Sequence, residues 1–227
     1  MNGDLKSEST HILIYATYLA ENKKNIINYH LNIFNSIFDE VVLINNSDDF
    51  KTAHKLTKDL KASVIINRYN SGRDIGAYKE GYSYIYNKID SLASLKKITF
   101  INDSIIIVDR NLLDLFSKIE LFGCSYHGST YALSPYFHGQ SFLFSFSINL
   151  FKRHEINEFF KYYRLVNSRH NAVYKGELGL FKAIQSTNCE TIFNYDPLNI
   201  FTLKDNEYSS FIEKIPLNIR NYSAPFI

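Results

Sequence analysis

The chain has 227 residues, a formal charge of +2, 45% hydrophobic and 21% charged residues, and an isoelectric point near 8.3. Ile, Leu, Val and Phe are plentiful enough for a substantial core, which excludes disorder as the main state. The near-neutral balance gives no electrostatic footprint for nucleic acid. Two cysteines, Cys124 and Cys189, cannot form a disulfide framework and are read as buried reduced thiols. The leader MNGDLKSEST has no apolar signal core, and no apolar run approaches the ~20 residues of a spanning helix. The expectation is a cytoplasmic protein, with peripheral attachment at the inner face of the cytoplasmic membrane left open. Seventeen Tyr and 18 Phe without Trp fit an AT-rich coding bias and are compatible with a glycan ligand.

Residues 12–18, ILIYATY, predict a buried strand. An approximately helical stripe follows through Ile26, Ile27, Tyr29, Leu31, Ile33, Phe34 and Ile37. Residues 41–45 form a second strand, ended by the turn and N-cap chemistry of Asn46, Ser47 and Asp48. A helix around 50–60 leads to a third strand at 63–67. The polar segment 67–76 reads as a loop before a helix that starts AYKEGYSYIY. Residues 98–108, ITFINDSIIIV, read as strand, polar interruption, strand. This alternation predicts an α/β fold with a mainly parallel sheet and helices on both faces. Further on, a helix is predicted at 111–119 and β-rich stretches at 122–131 and 137–150, punctuated by Pro135 and Gly139. An amphipathic helix spans 151–166, and another begins near Gly176. Pro197, Pro216 and Pro225 argue against a long helix in the last 35 residues. With no repeat, linker or low-complexity tract, one domain is expected.

Ligands of parallel α/β sheets bind beyond the carboxyl ends of the strands, and two polar segments fall there. In Asn70-Ser-Gly-Arg-Asp-Ile-Gly76, Gly72 and Gly76 permit a tight turn or close ligand approach. Arg73 suits a phosphate, and Asp74 suits a ribose, a base or a helix cap. In Phe100-Ile-Asn-Asp-Ser104, a polar triplet interrupts an apolar strand, which costs free energy unless partners exist. Asp103 suits a divalent cation shared with phosphate oxygens; a plain β-turn is the competing reading. Because the two segments follow the third and fourth strands, they are expected to converge on one binding cleft.

These two segments, followed by His138-Gly-Gln-Ser-Phe142 and Gly176-Glu-Leu-Gly179, resemble in this order the rhamnan synthesis protein F family of bacterial surface-polysaccharide assembly. The layout also resembles the GT-A type nucleotide-diphospho-sugar transferase fold. The resemblance implies a nucleotide-sugar-binding half at 1–110 and an acceptor half at 111–227. It implies a glycosyltransferase that passes a sugar, rhamnose from its dTDP form or hexose from UDP, to a lipid-linked or polysaccharide acceptor. It implies donor contacts from Asn70, Gly72, Arg73, Asp74, Asn102 and Ser104. Asp103 is the catalytic or metal-holding carboxylate, with Mg²⁺ or Mn²⁺ as the expected ion. The family fold usually carries Asp-x-Asp where this chain has Asn102-Asp103-Ser104, so a single carboxylate stands there. Arg68 and Arg73 are then expected to offset the diphosphate charge.

Glu177 is the expected general base of an inverting transfer; a first-turn Glu favoured by the helix dipole is the competing reading. His138, Gln140 and Ser141 are expected to line the sugar or acceptor pocket. The basic residues Lys152, Arg153, Lys161, Arg164, Arg169 and Lys175 suit either a solvated face or an anionic lipid surface. Cys124 and His127 are expected on opposite strand faces, which excludes a catalytic pair. Two other readings stay open: an inactive glycan- or nucleotide-binding module, and a structural α/β domain without a small ligand.

Overall fold

The computed structural model describes residues 3–105, 107 and 110–195. Chain order runs β1 (His11–Tyr18), α1 (Lys24–Phe34), β2 (Glu40–Ser47), α2 (Phe50–Thr57), β3 (Val64–Tyr69), α3 (Arg73–Tyr86), β4 (Lys97–Asn102), α4 (Arg110–Lys118) and β5 (Ser125–Ala132). The order continues with β6 (His138–Gly139), β7 (Leu143–Ser147), α5 (Ile148–Phe151), α6 (His154–Tyr162), α7 (Arg169–Asn171), α8 (Leu178–Ser186) and β8 (Glu190–Tyr195). A π-helical turn, Ala172–Glu177, joins α7 to α8.

The strands form one sheet in the order β3-β2-β1-β4-β7-β5-β6, with β8 paired to β5. β3, β2, β1 and β4 are mutually parallel, and β7 runs antiparallel between β4 and β5. The first four strands are apolar almost throughout because both faces of the sheet are covered. Alternation sorts their side chains. Ile12, Ile14, Val42, Ile44, Ile98 and Phe100 face one core with residues of α3, α6 and α8. Leu13, Tyr15, Val41, Leu43 and Ile101 face the other with residues of α1, α2 and α4.

Aromatic side chains fill the first core. Phe100 stacks on Phe144 at 4.6 Å and meets Tyr78 edge-on at 5.4 Å, and Tyr82 stacks on Phe160 at 4.4 Å. Much of the Phe and Tyr excess is therefore core volume.

Several sequence expectations change. Asn46 and Ser47 lie inside β2, and Asp49 is the residue that caps α2, accepting from Lys51 N and Thr52 N. Residues 148–151 are helical rather than extended. The described residues between Asp103 and Ile107 hold no second strand, and residues 106 and 108 of that expectation lie outside the described residues. α6 stops at Tyr162, four residues before its expected end. Glu190–Tyr195 is a strand that the sequence reading did not separate, and the prolines at 197, 216 and 225 lie outside the described residues. Both cysteines are free, but only Cys189 is buried.

Candidate functional site

The four parallel strands share a pattern: an apolar run that turns polar at its carboxyl end. Thr17 ends the run in β1, Asn45 and Asn46 in β2, Asn67 and Arg68 in β3, and Asn102 in β4. Buried amides and hydroxyls need partners, and here they satisfy one another. Asn45 Oδ1 accepts from Leu19 N at 3.0 Å, Asn45 Nδ2 donates to Asn67 Oδ1 at 2.9 Å, and Asn67 Nδ2 donates to Thr57 Oγ1 at 3.1 Å. The chain steps from β1 to β2 and β3 on one side, then crosses to β4 on the other. The crevice at such a switch point is where open α/β sheets hold ligands.

Asp103 sits at that point. Its Oδ2 accepts from Thr17 Oγ1 at 3.1 Å, Tyr18 N at 3.2 Å and Lys23 Nζ at 3.0 Å. Beside it, Asn102 Nδ2 donates to Asp74 Oδ2 at 2.8 Å, and Asn102 Oδ1 accepts from Ser104 N at 3.0 Å. The two polar segments therefore meet across one hydrogen bond. Burial, then the Asp103 charge, pushes the Asp74 carboxyl up to about 6, with Glu177 adding to the rise. Burial, and after it Asp74, Glu177 and Asp103, raises the Tyr78 hydroxyl, so the three carboxylates act on one region.

A cleft of about 370 Å³ opens here, lined by Tyr18, Asn46, Asn70, Arg73, Asp74 and Asn167. The segment expected to be a loop through Gly76 is shorter, because α3 begins at Arg73. Gly72 has φ +78°, and a Cβ there would meet Leu165 at 2.9 Å. A Cβ on Gly76 would lie 2.3 Å from the Ser71 carbonyl oxygen. Tight packing within the protein requires both glycines. Arg73 itself has φ +54°, a left-handed conformation that costs a non-glycine residue about 1–3 kcal/mol. Asn167 clamps the turn, accepting from Gly72 N at 2.7 Å and donating to Asn70 O at 2.6 Å.

Arg68 is not available to a diphosphate. It is buried, and its guanidinium donates to Asn46 Oδ1 and, at 2.7 Å, to Ser71 O. Arg73 is exposed and lines the cleft. Ser104 is exposed beside Asp103.

Glu177 ends the π-helical turn inside a continuous helical stretch from Arg169 to Ser186. It is not in a first turn, so the helix-dipole explanation for it is removed. Ser141 Oγ donates to Glu177 Oε1, and His138 Nε2 lies 3.9 Å from Glu177 Oε2. His138 Nδ1 is 2.7 Å from the Tyr136 carbonyl, which requires a proton on Nδ1. His138 Nε2 lies 3.4 Å from Gln140 Nε2. Ser141 with Glu177 and His138 with Gln140 are two hydrogen-bonded pairs, brought side by side by the 3.9 Å approach of His138 to Glu177. Tyr78 links the first pair to α3, donating to Ser141 O at 2.9 Å.

Other polar groups have structural partners. His127 stacks on Phe116 at 4.0 Å, and burial lowers it to about 4. Cys124 points instead at Thr187. Lys23, Tyr18, Asn46 and Asn167 belong to this region but were not singled out from sequence. The polar strand end signalled Asn46; nothing local marked Lys23 or Asn167.

The side chains do not by themselves form a cage for a divalent ion. Among the described residues no group of three or more His, Cys, Asp or Glu side chains could hold one. Asp103 is the single carboxylate of its triplet, and its Oδ2 already holds an ammonium group. A cation bound there at the usual ~2.0–2.6 Å would carry two positive charges next to that ammonium.

No family model matches the chain, and no curated protein matches it in sequence. Solved structures do match. A protein from Desulfovibrio desulfuricans G20 described as a nucleotide-diphospho-sugar transferase superposes with a TM-score of 0.50 at 11% identity, covering 85% of this chain and 81% of that one. A 4-diphosphocytidyl-2C-methyl-D-erythritol synthase gives a TM-score of 0.50 at 9% identity, covering 90% and 98%. At these identities the likeness is one of fold: the chain has the mixed α/β, GT-A-like architecture. The narrower rhamnan synthesis protein F resemblance finds no counterpart among the family models. Among the described residues, no helix is long and apolar enough to cross a membrane.

Proposed function

We propose that this chain is a glycosyltransferase of bacterial cell-surface polysaccharide synthesis, related to the rhamnan synthesis protein F group. It takes a nucleotide-diphosphate sugar and passes the sugar to a growing, lipid-linked glycan. The observation that carries this reading is the pairing of Asn102 with Asp74 at the switch point of the sheet, within the field of Asp103 and Glu177. Fold alone does not settle function; the site chemistry supports it.

In this reading residues 1–110 hold the donor and residues 111–227 the acceptor. Asn70, Gly72, Arg73, Asp74, Asn102 and Ser104 surround the nucleotide diphosphate, and Asp103 is a donor-contact residue. His138, Gln140 and Ser141 face the sugar or the acceptor. Glu177 takes the proton of the acceptor hydroxyl as that oxygen bonds to the anomeric carbon. The bond from the anomeric carbon to the diphosphate oxygen breaks, and its electron pair leaves with the diphosphate. The result is inversion. The protein works in the cytoplasm, with the basic residues between 152 and 175 turned to the membrane that carries the acceptor lipid.

A second reading, an inactive glycan- or nucleotide-binding module, is favoured by one observation: the lone carboxylate Asp103 is already paired with Lys23. Turnover separates the two. The purified chain, given dTDP-rhamnose or UDP-hexose and a lipid-linked glycan primer, is expected to lengthen the primer, and Asp103→Ala is expected to abolish this in a folded protein. Nucleotide binding without transfer would select the module. Full transfer by folded Asp103→Ala would remove the site assignment.

A further inference from the structure

We propose that the Lys23 ammonium, held by Asp103, occupies the cation position of the site, so that the donor diphosphate binds without a divalent metal. This rests on the nucleotide-sugar reading and adds to it the identity of the positive charge.

The geometry is specific. Lys23 ends the single 3₁₀ turn Glu21–Lys23 that follows β1. Its Nζ lies 3.0 Å from Asp103 Oδ2, at the junction of β1 and β4. That same oxygen takes Thr17 Oγ1 and Tyr18 N, and Asp103 N donates to Ala16 O at 3.1 Å. The end of β1 therefore holds Asp103 at three points, and Asp103 in turn holds the ammonium. The Lys23 side chain stays 43% exposed, and among the described residues its ammonium donates to Asp103 alone. An ammonium has three donors, so two remain for phosphate oxygens. Tyr18, whose N–H shares the carboxylate, also lines the cleft. Arg73 lines that cleft with Tyr18 and is the second cation of the region, whereas Arg68 is tied to Asn46 and Ser71.

Two cations, one fixed and one exposed, suit a diphosphate that gains negative charge as the sugar departs. In this arrangement Asp103 also positions Lys23. That explains why one carboxylate suffices where the related fold usually carries two.

The test is calorimetric titration of the full chain with UDP, dTDP and GDP, in EDTA and then in Mg²⁺ or Mn²⁺. One diphosphate is expected to bind equally well in EDTA and in metal. Lys23→Met is expected to weaken that binding about tenfold to a hundredfold in EDTA, and Lys23→Arg to retain most of it. A melting curve for each variant confirms that it is folded. Wild-type binding that requires a metal would overturn the inference while leaving the nucleotide-sugar reading intact. Unchanged binding by folded Lys23→Met would also overturn it. No binding of any nucleotide, with or without metal, would remove the reading and the inference together.

Discussion

Asp74→Asn is expected to stabilise the protein at neutral and alkaline pH. Asp74 is mostly buried near two other carboxylates, and its carboxyl rises from 3.8 to about 6, chiefly through burial and then through Asp103. An acid with a raised folded pKa disfavours the fold when ionised. The penalty is absent below the unfolded pKa, grows between about pH 4 and pH 6, and is complete above that. That rise corresponds to about 2–3 kcal/mol. An anion in the first turn of α3 recovers roughly 0.3–1 kcal/mol from the helix dipole, so burial wins and a net of about 2 kcal/mol remains. Asn keeps an oxygen for Asn102 Nδ2, which now donates to Asp74 at 2.8 Å. For a chain of this size the gain is a melting point roughly 4–8 °C higher at pH 8, shrinking to almost nothing at pH 3. Calorimetric melting of both proteins from pH 3 to pH 8 measures it. A variant no more stable at pH 8, or one whose advantage persists at pH 3, would refute the reasoning. An ionised carboxylate kept at such a cost is the kind of group found at binding sites, so the same variant is expected to bind the donor nucleotide more weakly.

Arg73→Gly removes the left-handed strain at φ +54° and is expected to stabilise the fold by about 1 kcal/mol after the entropy cost of glycine, while lowering nucleotide affinity; melting and titration of one preparation read both. Glu177→Gln keeps an acceptor for Ser141 Oγ but cannot take a proton, so kcat is expected to fall about 10²–10⁴-fold with the donor dissociation constant unchanged; single-turnover kinetics separate the two. Gly76→Ala drives a Cβ to within 2.3 Å of the Ser71 carbonyl oxygen, and the expected result is a destabilised protein with the Asn70–Gly72 turn displaced, visible as faster amide exchange there. Phe100→Ala empties the centre of the aromatic core and is expected to cost about 3–5 kcal/mol in denaturant melts.

The first half of the fold was legible because both faces of its sheet are covered. Runs such as ILIYAT and ITFIN carry the signal of doubly buried parallel strands, and the helices between them keep their periodicity. The second half was less so. β6 has two residues, α5 four, and α7 three, too short for any period to develop. The convergence of Asn102 with Asp74 followed from topology, since segments that leave the carboxyl ends of parallel strands in one sheet lie at the same end of it. Lys23 and Asn167 were illegible for the opposite reason. Asn167 lines the cleft and Lys23 meets Asp103 beside it, each from a segment of ordinary polar composition, and only tertiary packing brings Lys23 to a residue 80 positions away. The glycines of the Asn70–Gly76 segment carried a true signal of close approach, and the carbonyl of Ser71 and the side chain of Leu165 are what approach them. Aromatic richness likewise has a core explanation in rings such as Phe100, Phe144 and Tyr82.

The most direct measurement is melting temperature against a panel of dTDP, UDP, GDP and CMP in EDTA, for the wild type and for Asp103→Ala. A ligand held only by the folded state adds about 2.7 kcal/mol at a hundred times its dissociation constant, or roughly 5–11 °C here. The account predicts such a rise with one nucleoside diphosphate, lost in Asp103→Ala. Unshifted melting with every nucleotide, or an equal rise in both proteins, would contradict it.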